Sequence, residues 1–242
     1  MAEPVKRRRT YDASRRRAAA ERTRSAILEA AQELFAEGGY AATSVRAVAD
    51  RAQVSVDTVY ATVGRKPQLL LAVHDMVLAE GPVPVAAEQR DYVRAVRAAP
   101  TAAAKLRTYA AAMGRLLPHT VPIMSALREA GAADPACAEQ HRLISERRAA
   151  NMRLLAADLR ETGELRADLT DAAVADLIWS LNSPEWFTLI TSRGHSPAEY
   201  GDLLADVLCR TLLAAVEPVA PTPASPARPA PPARPPSRDA SV

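Results

Sequence analysis

Apolar positions along the first third of the chain recur with a helical period. Between Arg22 and Glu37, Ile27, Leu28, Ala31, Leu34 and Phe35 fall at i, i+1, i+4, i+7 and i+8, which places them on one side of an α-helix, and Gly38-Gly39 marks its end. Thr43 or Ser44 is the N-cap of a short second helix running to about Arg51. "AQVS" reads as a tight turn, Ser55 as the cap of a third helix ending at Gly64, and a fourth begins near Lys66 with Pro67 in its first turn. The pattern stays helical after the break at "GPVP" (81–84), with expected helices over 87–98, 102–117, 121–130, 135–162, 171–193 and 197–216. No alternating strand pattern and no repeat period is present. The expected fold class is all-α: a three-helix helix-turn-helix head followed by a helical bundle.

Three short helices within about 40 residues, the second and third joined by a tight turn, describe a helix-turn-helix, whose recognition helix presents one face and its N-terminal turn to a DNA major groove. Charge strengthens that reading. Residues 1–66 carry 13 Lys or Arg against 8 Asp or Glu, whereas the remainder carries 18 against 20. A basic N-terminal part beside a near-neutral body points to a polyanionic partner. The segments "VKRRR" and "SRRR" lie in residues 1–20, expected to be a disordered basic arm drawn to phosphate. The expected domains are 21–66 for the head, 67–216 for a helical bundle, and 217–242 for a disordered tail, where 9 of 26 residues are proline.

Composition narrows the function classes. Apolar residues make up 48% of the 242, enough for a sizeable core, but no apolar run reaches the ~18 residues of a membrane span, and the basic N-terminus lacks the apolar stretch of a secretory signal. Cys137 and Cys209 match no zinc or redox spacing and read as two buried thiols of a cytoplasmic protein. HExxH, GxSxG and a phosphate-cradling glycine loop are all missing, and His74, His119, His141 and His195 share no spacing. The chain is therefore not expected to be an enzyme, and no metal or cofactor is expected.

The stretch "RSAILEAAQELFAEGGYAATSVRAVADRAQVSVDTVYATVGRKPQLLLAV" resembles the TetR family of bacterial regulators, and "DLIWSLNSPEWFTLITSRGHSPAEYGDLLADVL" resembles the C-terminal domain of one large subgroup. The resemblance implies a homodimer that binds a pseudo-palindromic DNA operator and lets go when a small-molecule effector enters the C-terminal domain. It implies phosphate contacts at the caps Thr43 and Ser44, a phosphate or base contact at Arg46, and a recognition helix opening with Ser55, Val56, Asp57 and Thr58. It further implies a phosphate contact from the Tyr60 hydroxyl, thymine-methyl contacts from Ala61 and Thr62, and a phosphate clamp at Lys66. Asp57 either steadies the helix N-terminus or accepts from cytosine, and Tyr60 alternatively fills the head's core. Three positions depart from the family pattern: Gln53 replaces the usual turn glycine, Thr62-Val63 an aromatic or histidine pair, and Arg65 a small polar cap.

Candidate effector contacts are Tyr109, Met113, Leu116, His119, Met124, Leu127, His141, Trp179, Ser183 and Trp186. His119 is the preferred polar one, because "LPHTVP" is expected to break its helix and expose backbone groups to a cavity. Few charges fall among these residues, so the expected effector is mostly apolar. A repressor is the expected role. The alternatives are an architectural DNA-binding protein, which leaves the large apolar body without a purpose, or a helical ligand-binding protein without operator specificity.

Overall fold

A computed structural model describes residues 6–214 apart from Pro82 and Pro84, with side chains from Ser14 onward except that of Ala41. The expectations for the first five residues and for the proline-rich tail lie outside the described residues. The order is α1 (Lys6–Ala42), α2 (Val45–Arg51), α3 (Val56–Thr62), α4 (Lys66–Leu78), a 3₁₀ turn (Ala87–Gln89), α5 (Asp91–Ala98), α6 (Ala102–Gly131), α7 (Pro135–Arg160), α8 (Asp171–Leu181), α9 (Pro184–Ser192) and α10 (Pro197–Leu212). The one β-type pairing among the described residues is an isolated bridge between Leu165 and Leu213. No helix there is long and apolar enough to cross a membrane.

Local chemistry accounts for most helix starts. Ser44, Ser55, Thr101, Asp134, Thr170, Ser183 and Ser196 each accept a hydrogen bond from a first-turn amide, and Ser196 and Glu199 form a reciprocal capping box. Prolines occupy the first turns of α4, α7, α9 and α10, where no amide hydrogen is needed.

Four expectations are corrected. Residues 6–20, read as a disordered arm, form the first turns of α1; "RRAAAER" is a run of strong helix formers, and Arg17 pairs with Glu21 one turn on at 3.3 Å. The glycine stop is a bend rather than an end: Gly39 takes φ 71° and ψ 179° inside α1. The two helices expected over 102–130 are one, with Pro118 and Pro122 inside it. Each interior proline costs on the order of 3 kcal/mol, but α6 buries side chains along its length, from Ala102 to Leu127, against the bundle, and that burial holds the backbone straight through. The helix expected over 171–193 is divided at Asn182-Ser183, where Ser183 caps α9.

Two apolar clusters share α6. One joins the first half of α6 to α5, α7, α8 and α10 around Leu106, Tyr109, Leu159, Ile178, Tyr200 and Leu204. The other joins α1–α4 to Ile123, Met124 and Leu127 of α6 and Cys137 and Ile144 of α7. The expected boundary at 66/67 therefore crosses a core. Leu69, Leu70, Val73 and Met76 of α4 pack with the head while Val77 packs with the body.

Gln53, in the turn between α2 and α3, has φ 55°, the left-handed region where side chains are disfavoured. Gln53→Gly is expected to stabilise the head by about 0.5–1 kcal/mol, since relieved strain exceeds the entropy that glycine adds to the unfolded chain. Chemical denaturation checks this, and a midpoint that falls would contradict it.

Candidate nucleic-acid interface and effector cavity

The head is held together from the inside. Val48 and Ala49 of α2, Val59 of α3 and Ile27, Leu28 and Ala31 of α1 are buried in a common core. Arg24 of α1 donates to the Thr62 carbonyl at 3.2 Å, satisfying an end of α3 that has no intrahelical partner. Arg51 of α2 reaches Glu33 and Glu37 of α1 at 2.9 and 3.2 Å, which ties the back of the motif across its surface. The result is a braced α3 whose outer side carries no structural duty.

That outer side holds many of the expected contacts. Ser44, Arg46, Ser55, Asp57, Tyr60 and Ala61 are exposed, while Val56, Thr58 and Thr62 are partly covered. Tyr60, at 48% exposure, lies outside the core between α1 and α3 that its alternative reading required. Among the described residues Arg46 pairs only with Asp50, at 4.0 Å with both side chains solvated, which leaves its guanidinium open to solvent. The Ser55 hydroxyl accepts from the Thr58 amide and lies 2.8 Å from the Thr58 hydroxyl, occupying both in the cap. Asp57 sits exposed in the first turn of α3, where a carboxylate is favoured by the helix dipole.

Two expected contacts are placed otherwise. Thr43 is 5% exposed, and its hydroxyl donates inward to the carbonyls of Leu34 and Gly39 at 3.1 and 2.8 Å, so Ser44 alone caps α2. The Lys66 ammonium donates to the Tyr40 carbonyl and rests 3.8 Å from the centre of the Tyr40 ring, and burial lowers its pKa. The Tyr40 hydroxyl in turn meets the Cys137 thiol at 3.2 Å, so Lys66 belongs to a strut joining the start of α4 to the end of α1 and to α7. The exposed cation at this corner is Arg65.

The candidate effector residues are dispersed. Tyr109 alone among them lines a partly open cavity between the α5 region and α7, with Tyr92, Val93, Val96, Met152 and Leu155. Its hydroxyl donates to the Met152 sulfur at 3.3 Å and accepts from the Asn182 amide, and burial raises its pKa. Met113 and Leu116 pack in the body core, Met124 and Leu127 in the core shared with the head. His119 is exposed beside a separate cavity of about 550 Å³ bordered by Phe35, Tyr40 and Pro122. The helix runs on there instead of breaking, although Pro118 and Pro122 each lack the amide hydrogen for the carbonyl four residues back. His141 is half-buried on α7, and Trp186 packs on Tyr200 with ring centres 5.2 Å apart.

The sequence alone did not point to the groups at the second cavity of this region, a partly open space between α4, the segment before α5, and α7. His74, Asp75, Arg90, Arg147 and Arg148 line it. Paired arginines within a helix ordinarily signal a solvated face, and only the docking of α4 against α7 turns them toward a shared space. Arg147 reaches Asp75 at 3.1 Å. Burial acts to raise the Asp75 pKa, but His74 and Arg147 outweigh it and hold the carboxyl below its usual value. Burial lowers the pKa of His74. No three His, Cys, Asp or Glu side chains among the described residues are grouped to hold a metal ion.

Residues 27–73 match the model of the bacterial regulatory proteins of the tetR family. Over 55 residues the chain is 49% identical to the HTH-type transcriptional repressor Rv3405c of Mycobacterium tuberculosis and to the HTH-type transcriptional regulator Mb3439c of Mycobacterium bovis. The aligned part is 23% of this chain and 29% of each relative, so the chain spans less than a third of the curated relatives it matches. Among solved structures, a putative TetR-family regulator from a Rhodococcus species superposes with a TM-score of 0.59 at 18% identity, over 77% of this chain and 96% of that one. FadR from Bacillus subtilis, in complex with stearoyl-CoA, superposes with a TM-score of 0.60 at 16% identity, over 76% and 96%. A putative regulator from Saccharomonospora viridis, in complex with choline, gives 0.58 at 16% identity, over 79% and 97%. At these identities the likeness is one of fold.

Proposed function

We propose that this chain, a transcriptional regulator that belongs through its residues 27–73 to the tetR family, is a repressor that binds a pseudo-palindromic operator as a homodimer in the cytoplasm. A small, mostly apolar effector entering the bundle releases it. The observation that carries the reading is the braced α3, whose outer side is small and solvated around Tyr60 and Ala61 and flanked by the exposed cations Arg46 and Arg65. A slim face lets the helix approach base edges, and the flanking cations reach phosphate. Support for an effector comes from the cavity beside Tyr109 and from the stearoyl-CoA and choline held by the fold neighbours. Release follows if the effector favours the head separation that does not match two half-sites, and its reach is limited by its differential affinity for the two states. Because α4 packs into both cores, a ligand that shifts α4 moves the head with it.

Selection of bound sequences from a random DNA pool tests this directly. Two inverted half-sites about one helical turn apart, or a multiple of that, are expected. A non-palindromic winner removes the dimer model, and similar affinity for selected and random DNA favours the architectural reading.

The corner before α4 gives a sharper prediction. Arg65→Ala is expected to lower the salt slope of binding by about 0.9, as one lost phosphate contact does, with stability unchanged. Lys66→Ala is expected to weaken binding to all sequences alike and also to lower stability by about 1–3 kcal/mol, because the Tyr40 carbonyl loses its donor. Salt titrations alongside thermal melts separate the two. An unchanged melting temperature for Lys66→Ala would mean that its lysine serves DNA alone.

A further inference from the structure

The cavity between α4 and α7 holds polar groups that the protein itself leaves uncompensated. His74 is 4% exposed and its Nδ1 has no hydrogen-bond partner; Asp75 lies 3.6 Å away, too far for one. The Nε of Arg90 is likewise buried without a partner. Arg148 makes no ion pair among the described residues. Its guanidinium donates instead to the carbonyls of Trp179 and Asn182 at 3.1 Å each and to the Asn182 side-chain oxygen, and lies 5.5 Å from the centre of the Trp179 ring. The carboxylate on this wall, Asp75, is taken up by Arg147. Two arginines that form no ion pair among the described residues therefore face one space with a buried imidazole whose Nδ1 lacks a hydrogen-bond partner and has only the Asp75 carboxylate near it. A buried cation lacking a counter-charge is costly, and so is a buried nitrogen lacking a partner. One anionic group would relieve both.

The neighbouring space differs in character. Ala87 and Asn151 line both cavities, and beyond them Tyr92, Val93, Val96, Met152 and Leu155 give a mainly apolar lining, with Glu88, Arg97 and Asp158 at its border. Of its two carboxylates, Asp158 is held by Lys105 at 2.9 Å and Glu88 is exposed. The two spaces thus meet as a cationic end and an apolar end.

We infer that the effector is an amphipathic organic monocarboxylate, its carboxylate received by Arg148 and Arg90 with His74 beside them and its apolar body lodged between the α5 region and α7. A carboxylate suits the site because the unpartnered Nε of Arg90 belongs to a fork that pairs with it in a plane, while Arg148, whose Nη2 is already donated to Trp179 and Asn182, adds its charge. The inference deepens the effector reading above and rests on it only for the regulatory consequence.

Isothermal titration of the full chain with decanoate, decanamide and decyl phosphate tests the site without DNA. Decanoate is expected to bind about tenfold or more tightly than decanamide, the scale of one charge-assisted hydrogen bond. Arg90→Gln and His74→Asn are each expected to cut that preference about tenfold. Arg90 lies at a helix start rather than in a core, so its variant remains informative if the His74 variant fails to fold. Equal binding of decanoate and decanamide, a preference for decyl phosphate, a preference unmoved in both variants, or no saturable decanoate binding would each overturn the inference. Decanoate that binds by this site yet leaves operator DNA bound would retain the site and remove the release reading.

Discussion

Gly114→Val is expected to lower the unfolding free energy by about 3 kcal/mol, near the upper end for forcing extra carbon into a packed interface. Gly114 of α6 faces the start of α10, where a Cβ would stand 2.6 Å from the Pro197 carbonyl oxygen and 3.6 Å from the Gly201 Cα. Gly201 answers from the other side, with a Cβ there 3.1 Å from the Ala110 carbonyl oxygen. The atoms in the way are backbone, so no side chain can rotate aside, and α10 must slide from α6. That movement would open the packing of Tyr200, Leu204 and Leu208, all fully buried in the body core. Calorimetry should show the melting temperature lowered by about 6–12 °C for a chain of this size. A shift below about 2 °C would mean that α10 is not held against α6 at Gly114. Gly114→Ala should show the same effect at smaller size, because even one carbon meets that carbonyl.

Ala61→Glu is expected to abolish detectable operator binding, a loss on the order of a hundredfold or more, while leaving stability unchanged. Ala61 is exposed on α3 beside Tyr60, and its side chain supports nothing in the core. A glutamate there sets a full negative charge against the phosphate backbone, and like-charge juxtaposition at an interface costs several kcal/mol. The comparison that decides is Asp57→Asn in the same assay. If Asp57 serves the helix dipole, the variant binds the same sequences slightly more tightly, through relief of repulsion. If Asp57 accepts from cytosine, base preference changes at one position in each half-site. An Ala61→Glu protein that still bound its operator would place α3 away from the groove.

Much of the head was legible in the sequence because its determinants are local. Ser44 and Ser55 cap by bonding amides three residues on, and Ile27, Leu28 and Ala31 face one way by helical period alone. Gln53 was readable as a strain because the turn it occupies fixes the sign of φ within a few residues. Thr43 and Lys66 show where that locality ends. Each has the side chain of a DNA contact, but Thr43 turns to carbonyls of α1 and Lys66 to Tyr40, partners 4 to 26 residues distant. The proposed effector region was legible least. Tyr109, Trp179 and the α7 arginines lie far apart in the chain, and nothing in their spacing says which share a cavity.

The sequence by itself determined that the chain is helical, where most helices begin, that a helix-turn-helix lies within residues 24–73, and that its basic residues gather at that end. Those properties follow from period, capping and charge, which act between residues a turn or two apart. Tertiary structure decided that α6 passes through Pro118 and Pro122, that α4 belongs to two cores, and that His74, Arg90 and Arg148 face one space. These depend on the burial of apolar surface between distant helices, which outweighs the local cost of two prolines. Burial sets the fate of the charges carried along with it, and a sequence read one turn at a time holds no record of which surfaces meet.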